Sequence, residues 1–317
     1  MTTPPPALLV AAGHGTRDEA GAEAFRDVVR ELGRRHPGLP IVGGFAEAAP
    51  PPLDGAVSEL VERGVRRFAV VPLALGPAGR AEGEVLAELA RELERHPESS
   101  YTCGRPLGPH PALLSVLERR LDEALGSVTG RTPGDRAEVT VLLVGRGSTD
   151  PETNAEVHRA ARLLWEGRGY AGVETAFVSS AAPDVPSGLD RCVRLGARRI
   201  VVLPYLPLGG VLPDRVRQQT EGWAAARPEI EVRSADVIGP EPELLDLVVE
   251  RYREAVEGGP RMNRDSRDPA VHDSTAPGVG GTAGLPRQPH AHPDGDGHHH
   301  GLGHHPHHWG HAHFHAH

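Results

Sequence analysis

His14 stands between Gly13 and Gly15 at the end of the apolar run Leu8–Ala12. A neutral imidazole in such a turn can ligate a divalent metal or accept a proton. The two glycines permit a tight turn and let a flat ligand approach the backbone. The alternative is a histidine that fills the turn or caps the next helix. Gly13–Arg17 does not read GxGxxG, so there is no dinucleotide fingerprint. Glu47 follows the apolar run Ile41–Phe45. It could take protons or hold a metal, or be a solvated loop carboxylate. Arg80 lies in Gly79-Arg80-Ala81-Glu82-Gly83-Glu84. It could grip a carboxylate-rich ligand through bidentate hydrogen bonds, but it keeps its proton and cannot ligate a metal. A surface ion pair with Glu82 or Glu84 is the simpler alternative. His110 precedes a proline at a helix start and reads as a turn histidine.

Thirteen of the 19 histidines fall between His290 and His317. His298, His299, His300, His304, His305, His307 and His308 place many imidazoles on a segment of Gly, Pro and Asp that cannot bury a core, so disorder is expected there. Such a tract suits nickel, copper, zinc and cobalt better than iron. A purely solubilising tail is the alternative.

The elements that must position His14, Glu47 and Arg80 follow from hydrophobic pattern. Strands are expected at Leu8–Ala12, Ile41–Phe45, Phe68–Leu75 and Ser100–Cys103. Helices are expected at Asp18–Arg35, Leu53–Arg63, Glu82–Arg95 and Pro111–Leu125. The continuous apolar character of Phe68–Leu75 fits a parallel sheet covered on both faces, and the order βαβαβαβα implies a doubly wound one. Ligands of open parallel sheets bind beyond the carboxyl ends of the strands, where Gly13–Thr16, Ala46–Ala49, Leu75–Arg80 and Gly104–His110 fall.

The pattern then restarts. Leu142–Ser148 echoes Leu8–Thr16, with Arg146 opposite His14 (146 − 14 = 132). Phe177, Gly196, Arg198-Arg199 and Pro204 repeat Phe45, Gly64, Arg66-Arg67 and Pro72 at the same offset, and Gly239-Pro240-Glu241-Pro242 repeats Gly108-Pro109-His110-Pro111 at 131. So steady a register is duplication. The expected fold class is α/β, with two tandem duplicated doubly wound parallel-sheet domains: residues 1–126, a linker at 127–138, the second domain at 139–258, and a disordered tail at 259–317.

The formal charge of −9 argues against nucleic acid as a partner. Every basic residue other than histidine is arginine. Cys103 and Cys192 form no CxxC pair, so neither a disulfide framework nor a thiolate metal site is expected. No run approaches the roughly 20 apolar residues of a membrane span. Met1–Pro6 lacks the features of an export signal, so a cytoplasmic protein with no membrane partner is expected.

The segments AAGHGTRDEAGAEAF (11–25), GVRRFAVVPLAL (64–75), LLVGRGSTDPETNAEV (142–157), RLLWEG (162–167) and VVLPYLPLGGVLPDRV (201–216) resemble the long, two-domain sirohydrochlorin chelatases of the CbiX type. The resemblance spans about residues 7–263. It implies insertion of cobalt or iron into the tetrapyrrole sirohydrochlorin, toward cobalamin or sirohaem, in a cleft between two α/β halves. It implies His14 and Glu47 as the metal- and proton-handling residues. Gly15, Leu75, Gly79, Arg80 and Glu84 would then contact substrate. Three departures from the family pattern stand out. Arg80 occupies the place of a second histidine, and Glu84 that of an aspartate. The family's MNCxxC motif reads Met262-Asn263-Arg264-Asp265-Ser266, without the thiolates an iron–sulfur cluster needs, so none is expected. Pro50 occupies the region of a second acidic residue.

Two readings follow. One is a working chelatase for cobalt, iron or nickel, with the tail supplying or buffering metal. The other is a weakened paralogue that stores or delivers metal or binds tetrapyrrole. A two-lobed periplasmic-type binder shares the architecture but lacks an export signal.

Overall fold

The computed structural model describes residues 5–12, 19–46, 50–76, 80–126, 136–258 and 261–262, with backbone alone at 80–82, 84, 93, 261 and 262. Residues 1–269 form one compact unit.

The first half runs β1 (Ala7–Ala12), α1 (Glu19–Arg35), β2 (Ile41–Phe45), α2 (Leu53–Glu62), β3 (Arg67–Pro72), α3 (Arg80–Arg95), β4 (Ser100–Cys103) and α4 (Pro111–Ala124). The second runs β5 (Val139–Gly145), α5 (Pro151–Trp165), β6 (Gly172–Phe177), α6 (Val185–Arg194), β7 (Arg199–Pro204), α7 (Val211–Ala225), β8 (Glu231–Ser234) and α8 (Pro242–Gly258). A short β9, Arg261–Met262, follows. The sheets have strand orders β2-β1-β3-β4-β9 and β6-β5-β7-β8. All pairs are parallel except β4 with β9. The expected doubly wound fold is therefore observed in duplicate. The antiparallel β9 is a correction: backbone pairing of Tyr101 and Thr102 with Met262 and Arg261 carries order past Gly258, where the tail was expected to begin.

Duplication extends to the backbone hydrogen bonds. Leu73 N–H donates to Ala11 O at 2.8 Å and Tyr205 N–H to Val144 O at 2.8 Å, donors offset by 132 (205 − 73) but acceptors by 133 (144 − 11), so β5 is shifted by one residue from the sequence register; Phe45 N–H donates to Pro51 O and Phe177 N–H to Pro183 O, both at 2.9 Å. Two boundaries differ from expectation by more than one residue. The third strand ends at Pro72 rather than Leu75, because the chain turns away there toward the other half. The third helix starts at Arg80 rather than Glu82.

Side chains alternate between two layers, as a strand's period of two requires. Leu8 and Val10, like Val141 and Leu143, face one shared inner core; Ala7, Leu9 and Ala11, like Leu142 and Val144, face separate outer cores. Helices α2 and α3 close one outer core, and α6 and α7 the other. The inner layer is built by exchange. α4, from the first half, packs on β7 and α5, whereas α8, from the second, packs on β3, β4 and α1. The helix starts carry local signals: Asp150 Oδ1 accepts from Glu152 N–H at 3.1 Å and Asp184 Oδ1 from Ser187 N–H at 2.9 Å, and proline follows in the first turn. Among the described residues, no helix is long and apolar enough to cross a membrane.

Candidate active site

Strand order reverses at β1 and β3, so the carboxyl ends of these strands form the switch point at which doubly wound sheets take ligands. Ala46 N–H donates to Ala12 O at 2.9 Å. The backbone leading into His14 and the backbone leading into Glu47 are thus hydrogen-bonded neighbours. His14, Gly15, Glu47 and Gly79 lie outside the described residues, as do His298, His299, His300, His304, His305, His307 and His308. Arg80 opens α3 and Glu84 lies in its second turn. Leu75 belongs to the shared inner core and is 9% exposed.

The second half shows the equivalent turn in full. Arg146 is exposed one residue beyond β5. Gly147 has φ +88°, and a Cβ there would sit 1.7 Å from the Ser179 carbonyl oxygen, so only glycine fits. Ser179 donates to the Arg146 carbonyl from its amide at 2.9 Å and its hydroxyl at 3.0 Å. Asn154 accepts from Ser148 N–H at 2.9 Å and returns a bond to Ser148 O at 2.8 Å. Ser148 Oγ accepts from Asp150 N–H at 3.0 Å, and Thr153 Oγ1 donates to Asp150 Oδ2 at 2.8 Å. Ser180, with φ +57°, holds a backbone conformation uncommon outside glycine. Sequence reading found Arg146 but missed these braces, although the spacing Ser148-x-Asp150-x-x-x-Asn154 was there to be read.

The halves meet at these loop ends. The buried Tyr205 hydroxyl donates to Leu75 O at 3.3 Å, and burial pushes its pKa far above the ordinary tyrosine range. A Cβ at Gly108 would lie 2.4 Å from that hydroxyl and 2.7 Å from Leu75 O, so the chain needs glycine for this approach. His110 caps α4, its Nδ1 accepting from Ala112 N–H at 3.3 Å, with Nε2 3.5 Å from Glu250. Its structural reading holds.

Away from the switch point, Asp54, Glu88 and Glu92 each bring one carboxylate oxygen within 4.8 Å of the others. Burial pushes the Glu92 carboxyl above its usual range, against the opposing pull of Arg95 at 2.6 Å. No sequence signal joined Asp54 on α2 to two glutamates on α3. Burial also pushes the Cys192 thiol up to about 12, which removes it from thiolate chemistry.

Two doubly wound parallel sheets in tandem define a duplicated α/β protein. The comparisons narrow it. The CbiX family model matches residues 8–124 and 140–255, one match per half, and the chain belongs to the CbiX family. It is 32% identical over 255 residues to the sirohydrochlorin cobaltochelatase of Priestia megaterium, covering 80% of this chain and 81% of that protein. It is 31% identical over 211 residues to the sirohydrochlorin ferrochelatase of the same organism, covering 66% and 76%. Among solved structures, SirB from Bacillus subtilis with Fe3+ superposes with a TM-score of 0.65 at 23% identity, covering 80% of this chain and 96% of that one. That likeness supports the fold.

Proposed function

We propose that this protein inserts cobalt or iron into sirohydrochlorin. The observation that carries the proposal is its 32% identity, over 80% of the chain, to a sirohydrochlorin cobaltochelatase. Insertion places a divalent cation on the tetrapyrrole nitrogens and releases two pyrrole protons, so the site needs a metal-presenting group and a base. A neutral imidazole supplies the first and a carboxylate the second.

We assign these roles to His14 and Glu47. What supports the pairing is that the two loop ends are joined in both copies, Ala46 N–H donating to Ala12 O and Val178 N–H to Gly145 O. Gly15 and Gly79 admit the flat macrocycle. Arg80 and Glu84 contact the substrate, Arg80 holding a carboxylate where the family usually has a second histidine. Leu75, whose carbonyl accepts from the Tyr205 hydroxyl, borders the substrate. Cobalt would serve cobalamin synthesis and iron sirohaem synthesis, while nickel is an alternative cargo. The tail histidines buffer the incoming metal, and no iron–sulfur cluster takes part.

Arg80 also favours a second reading, a paralogue that carries metal or tetrapyrrole without inserting one into the other. Arg80→His separates them. In a working chelatase with a functional arginine, the substitution lowers insertion. If the parent is inert and the substitution confers insertion, the paralogue reading stands. Deleting residues 290–317 tests the tail: metal stoichiometry falls if the histidines buffer metal, and an unchanged value contradicts that role.

A further inference from the structure

Arg146 stands opposite His14 in the sequence, although strand pairing matches Gly145 with Ala12, and arginine neither ligates a metal nor accepts a proton. Ser179 and Leu212 stand opposite Glu47 and Arg80 at the offset of 132 (179 − 47, 212 − 80). The metal-handling side chains assigned to the first half thus have no chemical equivalents in the second. Yet the Arg146 turn is held by the Gly147 backbone, both donors of Ser179 and the two-way clamp of Asn154. It also stands at the junction of the halves. The rung at which Tyr205 N–H meets Val144 O lies two residues before Arg146, and the Tyr205 side chain reaches Leu75 O of the first half. The turn therefore holds the exposed Arg146 on a braced backbone at the carboxyl end of a central strand.

A planar guanidinium fork is matched to carboxylates, which it binds bidentately. We infer that the Arg146 turn is a carboxylate-binding subsite that anchors acidic side chains of the tetrapyrrole, leaving metal and proton handling to the first half. The inference rests on the chelatase reading and adds a residue of the second half to the site.

Titration of the full chain with uroporphyrin, a fluorescent tetrapyrrole bearing several carboxylates, tests it. Arg146→Ala weakens binding about 10- to 100-fold, the loss of one charge-assisted pair, measured where both proteins are fully folded. Methyl-esterified uroporphyrin binds wild type and variant alike. In the insertion assay, KM for sirohydrochlorin rises while kcat stays within a few-fold. Equal affinity of wild type and Arg146→Ala for the free acid overturns the subsite alone. Absence of any binding by the wild type overturns the tetrapyrrole reading and the subsite with it. If Arg146→Ala does not fold, Arg146→Lys keeps the charge, loses the fork and binds with affinity below wild type; wild-type affinity in that variant overturns the subsite.

Discussion

Arg120 and Arg251 make the same hydrogen bond in opposite directions across the molecule. Arg120 Nε, on α4, donates to Val237 O at 2.9 Å, and Arg251 Nε, on α8, donates to Pro106 O at 3.1 Å. Each guanidinium also holds a glutamate of its own helix, Glu123 at 2.9 Å and Glu254 at 2.9 Å. Each exchanged helix is thus pinned to the loop after the fourth strand of the half it covers. Those loops lie at the carboxyl ends of the fourth strands, so the pair ties the inner layer to that end of each sheet.

The two pins differ in burial, and their removal should differ accordingly. The Arg251 side chain is 5% exposed and that of Arg120 15%. Arg251→Ala should cost about 2–3 kcal/mol and Arg120→Ala about 1–2 kcal/mol, within the range for hydrogen bonds to charged groups. Denaturant unfolding with a common m-value checks this. Equal costs near zero would remove the pins from the account.

Gly147→Ala should destabilise the protein by about 1–3 kcal/mol from backbone strain alone, because φ is +88° and the added carbon meets the Ser179 carbonyl at 1.7 Å. The same change displaces Arg146, so tetrapyrrole affinity falls along with the unfolding midpoint. A stable Gly147→Ala protein of wild-type affinity would contradict the described turn.

Glu92 gives a pH signature. Its pKa is raised in the folded protein by burial, with Arg95 pulling the other way. The folded state therefore holds the Glu92 proton more tightly than the unfolded chain, and stability is lost as pH rises from the unfolded value of about 4.5 through the folded one. Glu92→Gln removes that loss. Its unfolding midpoint relative to wild type should climb between about pH 4 and pH 7, and a difference independent of pH would show that Glu92 is not burdened by burial.

The first two strands, which end two residues before His14 and Glu47, and the repeat of the whole pattern were legible because apolar runs and turn residues are local signals; the one-residue shift of β5 against β1 was not, since it shows only in strand pairing. The exchange of α4 and α8 was not. The apolar face of Leu113, Leu117 and Leu121 demands a sheet to cover but does not say which one. Arg120 and Arg251 were hidden for the same reason, since each bond joins residues more than a hundred positions apart. A two-residue strand such as β9 carries no periodicity at all. The acidic trio required knowing that α2 and α3 lie side by side.

The central claim is metal insertion with His14 at the metal. Its most direct test mixes the purified full chain with sirohydrochlorin and Co²⁺ or Fe²⁺ and follows the absorbance change of the tetrapyrrole, for wild type and His14→Ala. The expected rate lies well above that of the metal and tetrapyrrole alone and falls by about 100-fold or more in His14→Ala, in line with loss of a positioned catalytic group. A wild-type rate no faster than the uncatalysed one, or a His14→Ala protein as fast as wild type, would contradict it.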